Sequence, residues 1–305
     1  MLSRDSNPKP VANLVSLLLA LFCLACSKAP GPAPQRSASS ESPPPCLGDQ
    51  RQAVKPRRVA VVPQLPPSEI YARWGPLLQE LGLRSQLCFD LMVPSSIPAF
   101  ERLLENGALD YAFMNPYHQV MVKRVYRPLV RDDQRPLKGV LVAHRHSKLN
   151  KLEDLRGQTV SFPSANAFAA SLLIRADLRQ RGIPIKADYV KSHSNVYRSV
   201  ALKLSSAGGG VNNTLKREDP DVARHLKVLY ATRGYAAHPF SANVRLPRAE
   251  TIAVERAWLS LSQDPDQKTL LNRVQIPQPV SSNFQRDYAP LETLGLADLV
   301  MRGAP

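Results

Sequence analysis

No stretch of this chain approaches the roughly 20 apolar residues that a membrane-spanning helix needs, so a polytopic membrane protein is excluded. Cysteine is scarce, with four in 305 residues, and a disulfide-framework miniprotein is excluded as well. Aromatic residues make up only 6% and do not interleave with the densest basic cluster, Lys55-Pro56-Arg57-Arg58. A stacking platform for single-stranded nucleic acid is therefore not expected, and no nucleic-acid partner is assigned. Catalytic signatures are missing too. There is no Gly-x-Ser-x-Gly elbow, no His-Glu-x-x-His, and no Gly-Lys-Ser/Thr behind the glycine run at 208–210. No enzymatic activity is expected. Acidic side chains are the minority, 25 against 40 Lys and Arg, leaving a formal charge of +15 that attracts anions. What is present is a globular composition, 44% hydrophobic, on a chain long enough for about two domains.

The N-terminus reads as an address. Arg4 and Lys9 precede an apolar run from Leu14 to Ala25, interrupted only by Ser16, which looks like a secretory signal peptide. Its end, Cys23-Leu24-Ala25-Cys26, resembles a bacterial lipoprotein signal, with Cys23 where leucine is usual. Residues 1–26 are thus expected to be a signal ending at a lipidated Cys26. Ser27 after it favours the outer membrane as the anchor site in a two-membrane cell. Residues 27–55, rich in proline and serine, read as a tether. Cys46 and Cys88 are then the thiols left after export. An oxidising compartment allows them to pair, although spacing alone does not establish the proximity a bridge needs.

From residue 57 onward, strand and helix patterns alternate. Strands are expected at 57–63, 87–93, 109–114, 140–143, 159–162, 188–190 and 228–231. Helices are expected at 69–81 (stopped by Gly82), 97–106, 165–181 and 195–204, with a mostly helical C-terminal part from 249. Repeated βα units imply an α/β fold with mostly parallel sheets, whose ligands sit at the carboxyl ends of strands.

Several segments at those junctions resemble one family. Leu104-Glu105-Asn106-Gly107 leads through 108–114 to Asn115-Pro116-Tyr117, similar to a helix–Gly–strand–binding-loop unit. Residues 146–162, with Leu152-Glu153-Asp154-Leu155-Arg156-Gly157, resemble a signature widespread in bilobed solute-binding proteins. Ser192-His193-Ser194-Asn195-Val196 and the stretch 228–239 complete the likeness. Together they resemble the periplasmic phosphate/phosphite/phosphonate-binding proteins of ABC transporters, the PhnD-like group, over residues 57–250. The resemblance implies a two-lobed periplasmic-binding-protein fold of type 2, with a ligand cleft between the lobes. Lobe 1 would comprise 56–138 and 240–305, and lobe 2 residues 139–239. A monomer would carry a small anionic ligand to a permease, held at the membrane by its lipid anchor. A ligand-sensing module docking onto a membrane signalling protein is the alternative.

The resemblance also assigns contacts. Ser95, Ser96, Tyr117 and His118 would face the cleft from lobe 1. Ser164, Ala165, Asn166, Ala167, Phe168, His193 and Asn212 would face it from lobe 2. The family's Ser-Thr-Ser-Gly loop is replaced by Pro163-Ser164-Ala165-Asn166-Ala167-Phe168, which leaves backbone amides as the main anion donors and adds apolar bulk. No carboxylate follows in 207–214, which disfavours an aminoalkyl phosphonate. The 207–214 segment itself reads as a glycine-rich loop, able to cradle an anion or simply to turn. His144 and His146 alternate on one strand face, but no third ligand has a supporting spacing, so neither metal nor cofactor is expected.

Overall fold

A computed structural model describes residues 46–52 and 55–301. The expected signal with Cys26, and most of the expected tether, lie outside the described residues. The strands are β1 (Leu47–Gly48), β2 (Arg57–Val61), β3 (Cys88–Met92), β4 (Tyr111–Phe113), β5 (Tyr126–Asp132), β6 (Gly139–His144), β7 (Thr159–Phe162), β8 (Lys186–Tyr189), β9 (Ala207–Val211), β10 (Leu226–Ala231), β11 (Phe240–Asn243) and β12 (Pro279–Ser281). The helices are α1 (Pro67–Ser85), α2 (Ile97–Glu105), α3 (Pro116–Met121), α4 (Ile174–Gln180), α5 (His193–Ala201), α6 (Asn212–Leu215), α7 (Pro220–Ala223), α8 (Arg248–Ser262), α9 (Lys268–Arg273) and α10 (Phe284–Asp287). No helix among the described residues is long and apolar enough to cross a membrane.

Two sheets organise the chain. One runs β1-β3-β2-β4-β11-β5-β12 and the other β10-β6-β9-β7-β8. The chain leaves the first sheet between β5 and β6 and returns between β10 and β11. Both sheets are mixed rather than mostly parallel. β2 pairs in parallel with β3 and β4, and β7 with β8 and β9. β6 and β11, the first strands after each crossing, run antiparallel to their neighbours. A strand that arrives from the other lobe does not follow the covering helix that forces parallel pairing.

The first core is aromatic. Trp74 on α1 packs on Phe113 with ring centroids 4.7 Å apart, and Phe240 packs on Trp258 of α8 at 5.2 Å. The stripe Ile70, Trp74, Leu77, Leu78 and Leu81 is buried along α1, as its spacing requires. Gly82 does not stop that helix. It continues to Ser85 and ends at Gln86 in the left-handed region, φ 56°. Gly82 instead permits close packing, since a Cβ there would sit 2.5 Å from the Gly48 Cα. That contact brings in β1, which a disulfide between Cys46 and Cys88 (Cα–Cα 5.5 Å) ties to β3.

Residues 207–211 are not a loop. They form β9, between β6 and β7 in the second sheet. Its glycines leave room for what lies on either face. A Cβ on Gly208 would meet Val196 Cγ1 at 2.5 Å, and one on Gly210 would meet the Tyr197 hydroxyl at 2.1 Å, both on α5. On the opposite face, a Cβ on Gly209 would lie 2.1 Å from the Ala170 carbonyl oxygen and 2.5 Å from the Phe162 ring. The alternation follows the strand's two-residue period.

Candidate functional site

The carboxyl ends of strands from both sheets meet around one small cavity. Val62 and Gln64 follow β2, and Asn115 follows β4. Ala167–Ala170 follow β7, His193 follows β8, and Val211 ends β9. Ile97 and His238 complete the lining. Ile97, Asn115, Ala167, His193 and Val211 are each the cap or first residue of a helical segment. The first amides of a helix have no intrahelical acceptor and carry partial positive charge, so these starts favour an anion. No carboxylate is among the lining residues. The cavity volume is about 10 Å3, room for about one water molecule.

The segment after β7 is a π-helical turn, Phe168–Leu173, that runs into α4, rather than one long helix from 165. The lining amides are accordingly those of Ala167–Ala170, two residues further along than expected. Ala165 turns its carbonyl to Arg175 Nη2 at 2.6 Å. The Ser164 hydroxyl accepts from the Asn166 amide at 3.3 Å. Phe168 is buried, edge-on to Tyr235 with centroids 5.8 Å apart.

Two buried imidazoles face the cavity. His193 Nδ1 has no protein partner, and burial followed by the nearby Arg217 charge holds this side chain near pKa 4. His238 Nε2 accepts from Gln64 Nε2 at 3.1 Å. Burial, then the neighbouring His118 and His193, push His238 down to about 3. Both are neutral at pH 7 and offer ring N–H groups rather than full charge.

Of the residues expected to bind ligand, Ala167, Phe168 and His193 line this cavity. Asn212 lines a larger recess beside it. The others lie elsewhere. Ser95 is exposed, and Ser96 caps α2 by accepting from the Ala99 amide. Tyr117 is half-buried against the first core. His118 is fully buried, with Nε2 3.1 Å from Glu101 Oε1 and 3.2 Å from Asn115 Nδ2.

Asn166 works as a clasp. Its Nδ2 donates to Glu101 Oε2 at 3.0 Å and to the Met301 carbonyl at 3.1 Å, and its Oδ1 accepts from the Met301 amide at 3.1 Å. Arg175 also donates to the Leu299 carbonyl. The last described turns, Leu296–Leu299, thus pack on α4 of the second lobe although the chain before them belongs to the first. Asn166→Ala is expected to cost about 1–3 kcal/mol, because it strips a donor from the buried Glu101 carboxylate. Hydrogen exchange at Met301 should accelerate in this variant; unchanged exchange together with an unchanged urea midpoint would contradict the clasp.

Gln64, Asn115 and His238 are the polar cavity residues that the sequence-based contact set did not include. Asn115 stood within the quoted strand-to-loop segment. His238 stood within the quoted 228–239 stretch, whereas Gln64 carried no local signal, because only the approach of the two lobes sets it against the cleft. His144 ends β6 and His146 lies in the turn after it rather than on the strand, with rings 5.7 Å apart, and His225 stacks on His144 at 6.0 Å. Among the described residues, no group of three or more His, Cys, Asp or Glu is placed to hold a metal ion.

The family model described as "ABC transporter, phosphonate, periplasmic substrate-binding protein" matches residues 59–288. The chain belongs to this family. It is therefore a periplasmic substrate-binding protein of an ABC transporter; its family and structural neighbours bind solutes and are not enzymes. The match gives no support to a sensing role. Solved structures agree on the fold. PhnD1 from Prochlorococcus marinus, in complex with methylphosphonate, aligns with TM-score 0.73 at 17% identity, covering 81% of this chain and 99% of that one. A phosphonate-transporter binding component from Pseudomonas aeruginosa aligns at 0.70 and 14%, covering 79% and 85%. A Xanthomonas citri protein bound to ATP aligns at 0.70 and 17%, covering 80% and 99%. These neighbours bear out the two-lobed α/β architecture. No curated protein sequence matches the chain.

Proposed function

We infer that this member of the phosphonate-binding family takes a phosphorus oxyanion in the cleft between its lobes and hands it to a permease. The carrying observation is the set of helix starts that share one cavity with no carboxylate in its lining. The amides of Ala167–Ala170 and the neutral ring of His193 are the donors from the second lobe. Gln64, Asn115 and His238 serve from the first lobe and the crossing. Hinge bending at Gly139 and between β10 and β11 opens and closes the cleft. The leader pattern ending at Cys26 supports a lipid anchor, and we take the carrier to meet its permease as a monomer. Neighbours of the fold hold anions of very different size, methylphosphonate in one and ATP in another.

Isothermal titration of the mature domain against phosphate, phosphite, methylphosphonate, sulfate and small carboxylates tests this. Binding of a phosphorus oxyanion is expected, with affinity falling about tenfold or more in His193→Ala, the loss of one hydrogen bond to a charged group. No heat with any phosphorus compound would overturn the reading.

A further inference from the structure

The cavity at the helix starts is small, and a much larger space adjoins it. A recess of about 510 Å3 opens between the lobes, within the size range of sites for drug-sized ligands. Gln64 and His238 line both spaces, so the two are continuous at those side chains. Arg73, Arg135, Lys138, Lys216 and Arg217 line the recess, with Asp132 its only carboxylate. Asp132 is occupied by backbone, accepting from the Arg135 and Gln278 amides at 3.0 Å each. Arg73 pairs with Glu69 at 2.6 Å. Among the described residues, Arg135, Lys138 and Lys216 have no carboxylate within 4 Å.

Arg217 is the bridge. With the Gln275 amide turned so that its oxygen faces the guanidinium, that oxygen accepts from both Arg217 Nη1 and Nη2 at 2.8 Å. Arg217 Nε donates to the Asn213 carbonyl at 3.0 Å. The residue thus spans from the second lobe to the first. Like charges gathered from both lobes repel one another until an anion sits between them. A single phosphonate group in the cavity leaves these cations without a counter-charge.

We propose that the recess binds a second anionic group of the same ligand, which makes the substrate class an organic diphosphate or a phosphoryl compound with another strong anion. This rests on the oxyanion reading of the cleft. One phosphoryl group meets the helix starts and His193, the ligand passes Gln64 and His238, and the second anion meets Arg135, Lys138, Lys216 and Arg217.

The test compares inorganic pyrophosphate, phosphonoacetate and methylphosphonate by titration calorimetry, without divalent metal and at about 150 mM salt, which screens exposed charges beyond about 8 Å. Pyrophosphate is expected to bind at least about tenfold more tightly than methylphosphonate, with one site, and methylphosphonate should compete with it. Lys138→Gln combined with Lys216→Gln should remove that advantage while leaving methylphosphonate within about threefold, and Arg217→Gln, beside His193, should remove it as well. Lys203→Gln, an exposed cation elsewhere on the second lobe, should change nothing. Methylphosphonate binding without a pyrophosphate advantage, or an advantage that survives both variants, overturns the recess and leaves the cleft reading standing. Binding of neither compound overturns both.

Discussion

Gly209→Val is expected to stop the second sheet from closing. The Cβ alone would lie 2.1 Å from a backbone oxygen, that of Ala170, which no rotamer change relieves. The Phe162 ring, at 2.5 Å, blocks retreat on the same face. Either β9 separates from β6 and β7, or the π-helical turn that carries the cleft amides moves away. Overpacking of this kind commonly costs 1–3 kcal/mol; contact with main chain rather than a mobile side chain places this case above about 3 kcal/mol. Loss of soluble protein, or a urea midpoint far below the parent's, is the expected readout. Gly75→Ala is the control. It lies inside α1, where a Cβ meets nothing within 4 Å outside its chain neighbours; because Pro76 follows and disfavours helical backbone for a residue bearing a Cβ, no gain is expected and the change should stay within about 1 kcal/mol. A Gly209→Val protein that melts like its parent would refute the packing account of the glycine strand.

Acid should weaken the fold through the cleft histidines. His193 and His238 have folded pKa values near 4 and 3, below the ordinary 6.5. Both are depressed, so the unfolded chain takes up protons first as pH falls. Their neutral burial costs nothing above about pH 6.5, and stability drops below it, down to about pH 4 for His193 and pH 3 for His238. Each contributes a slope of about 1.4 kcal/mol per pH unit inside its window. Between pH 7 and pH 5 the pair therefore removes about 4 kcal/mol. The groups facing them, Arg217 at His193 and His118 at His238, act in the same direction. Melting curves in a buffer free of phosphate should show the loss. His238→Gln should remove about half of the slope whatever its effect on absolute stability. A pH-independent melting temperature between pH 7 and 5 would refute neutral burial of the pair.

An oxyanion bound as proposed beside His193 would reverse part of that trend. An anion beside His193 favours the imidazolium, so ligand binding and proton uptake are coupled in the cleft. The same coupling explains why a neutral histidine is useful there. It keeps the helix-start cavity itself free of a buried charge until the ligand arrives.

Local pattern made much of this protein legible. The apolar stripe of α1, Ser192 as the cap before His193, and the left-handed glycines 107 and 182 after α2 and α4 are short-range features, governed by helix geometry. So was the family likeness, carried by contiguous segments. Strand β5 was missed because Pro128, Arg127 and Arg131 interrupt its apolar run. Its pairing with β11 shifts register beside Pro128, where a proline cannot donate to the ladder.

By itself, then, the sequence determined the βα rhythm, the helix starts and the family, because each depends on residues within a turn or two of one another. Tertiary structure alone decided which glycines are strand and which are turn, since only the facing Ala170, Phe162 and Tyr197 forbid a side chain on β9. It decided that Asn166 clasps Glu101 and Met301 across 65 and 135 positions. It also gathered Arg73, Arg135 and Arg217 at one recess. Charges this far apart in the chain acquire a common purpose only when two lobes fold toward each other, and no local periodicity encodes that approach.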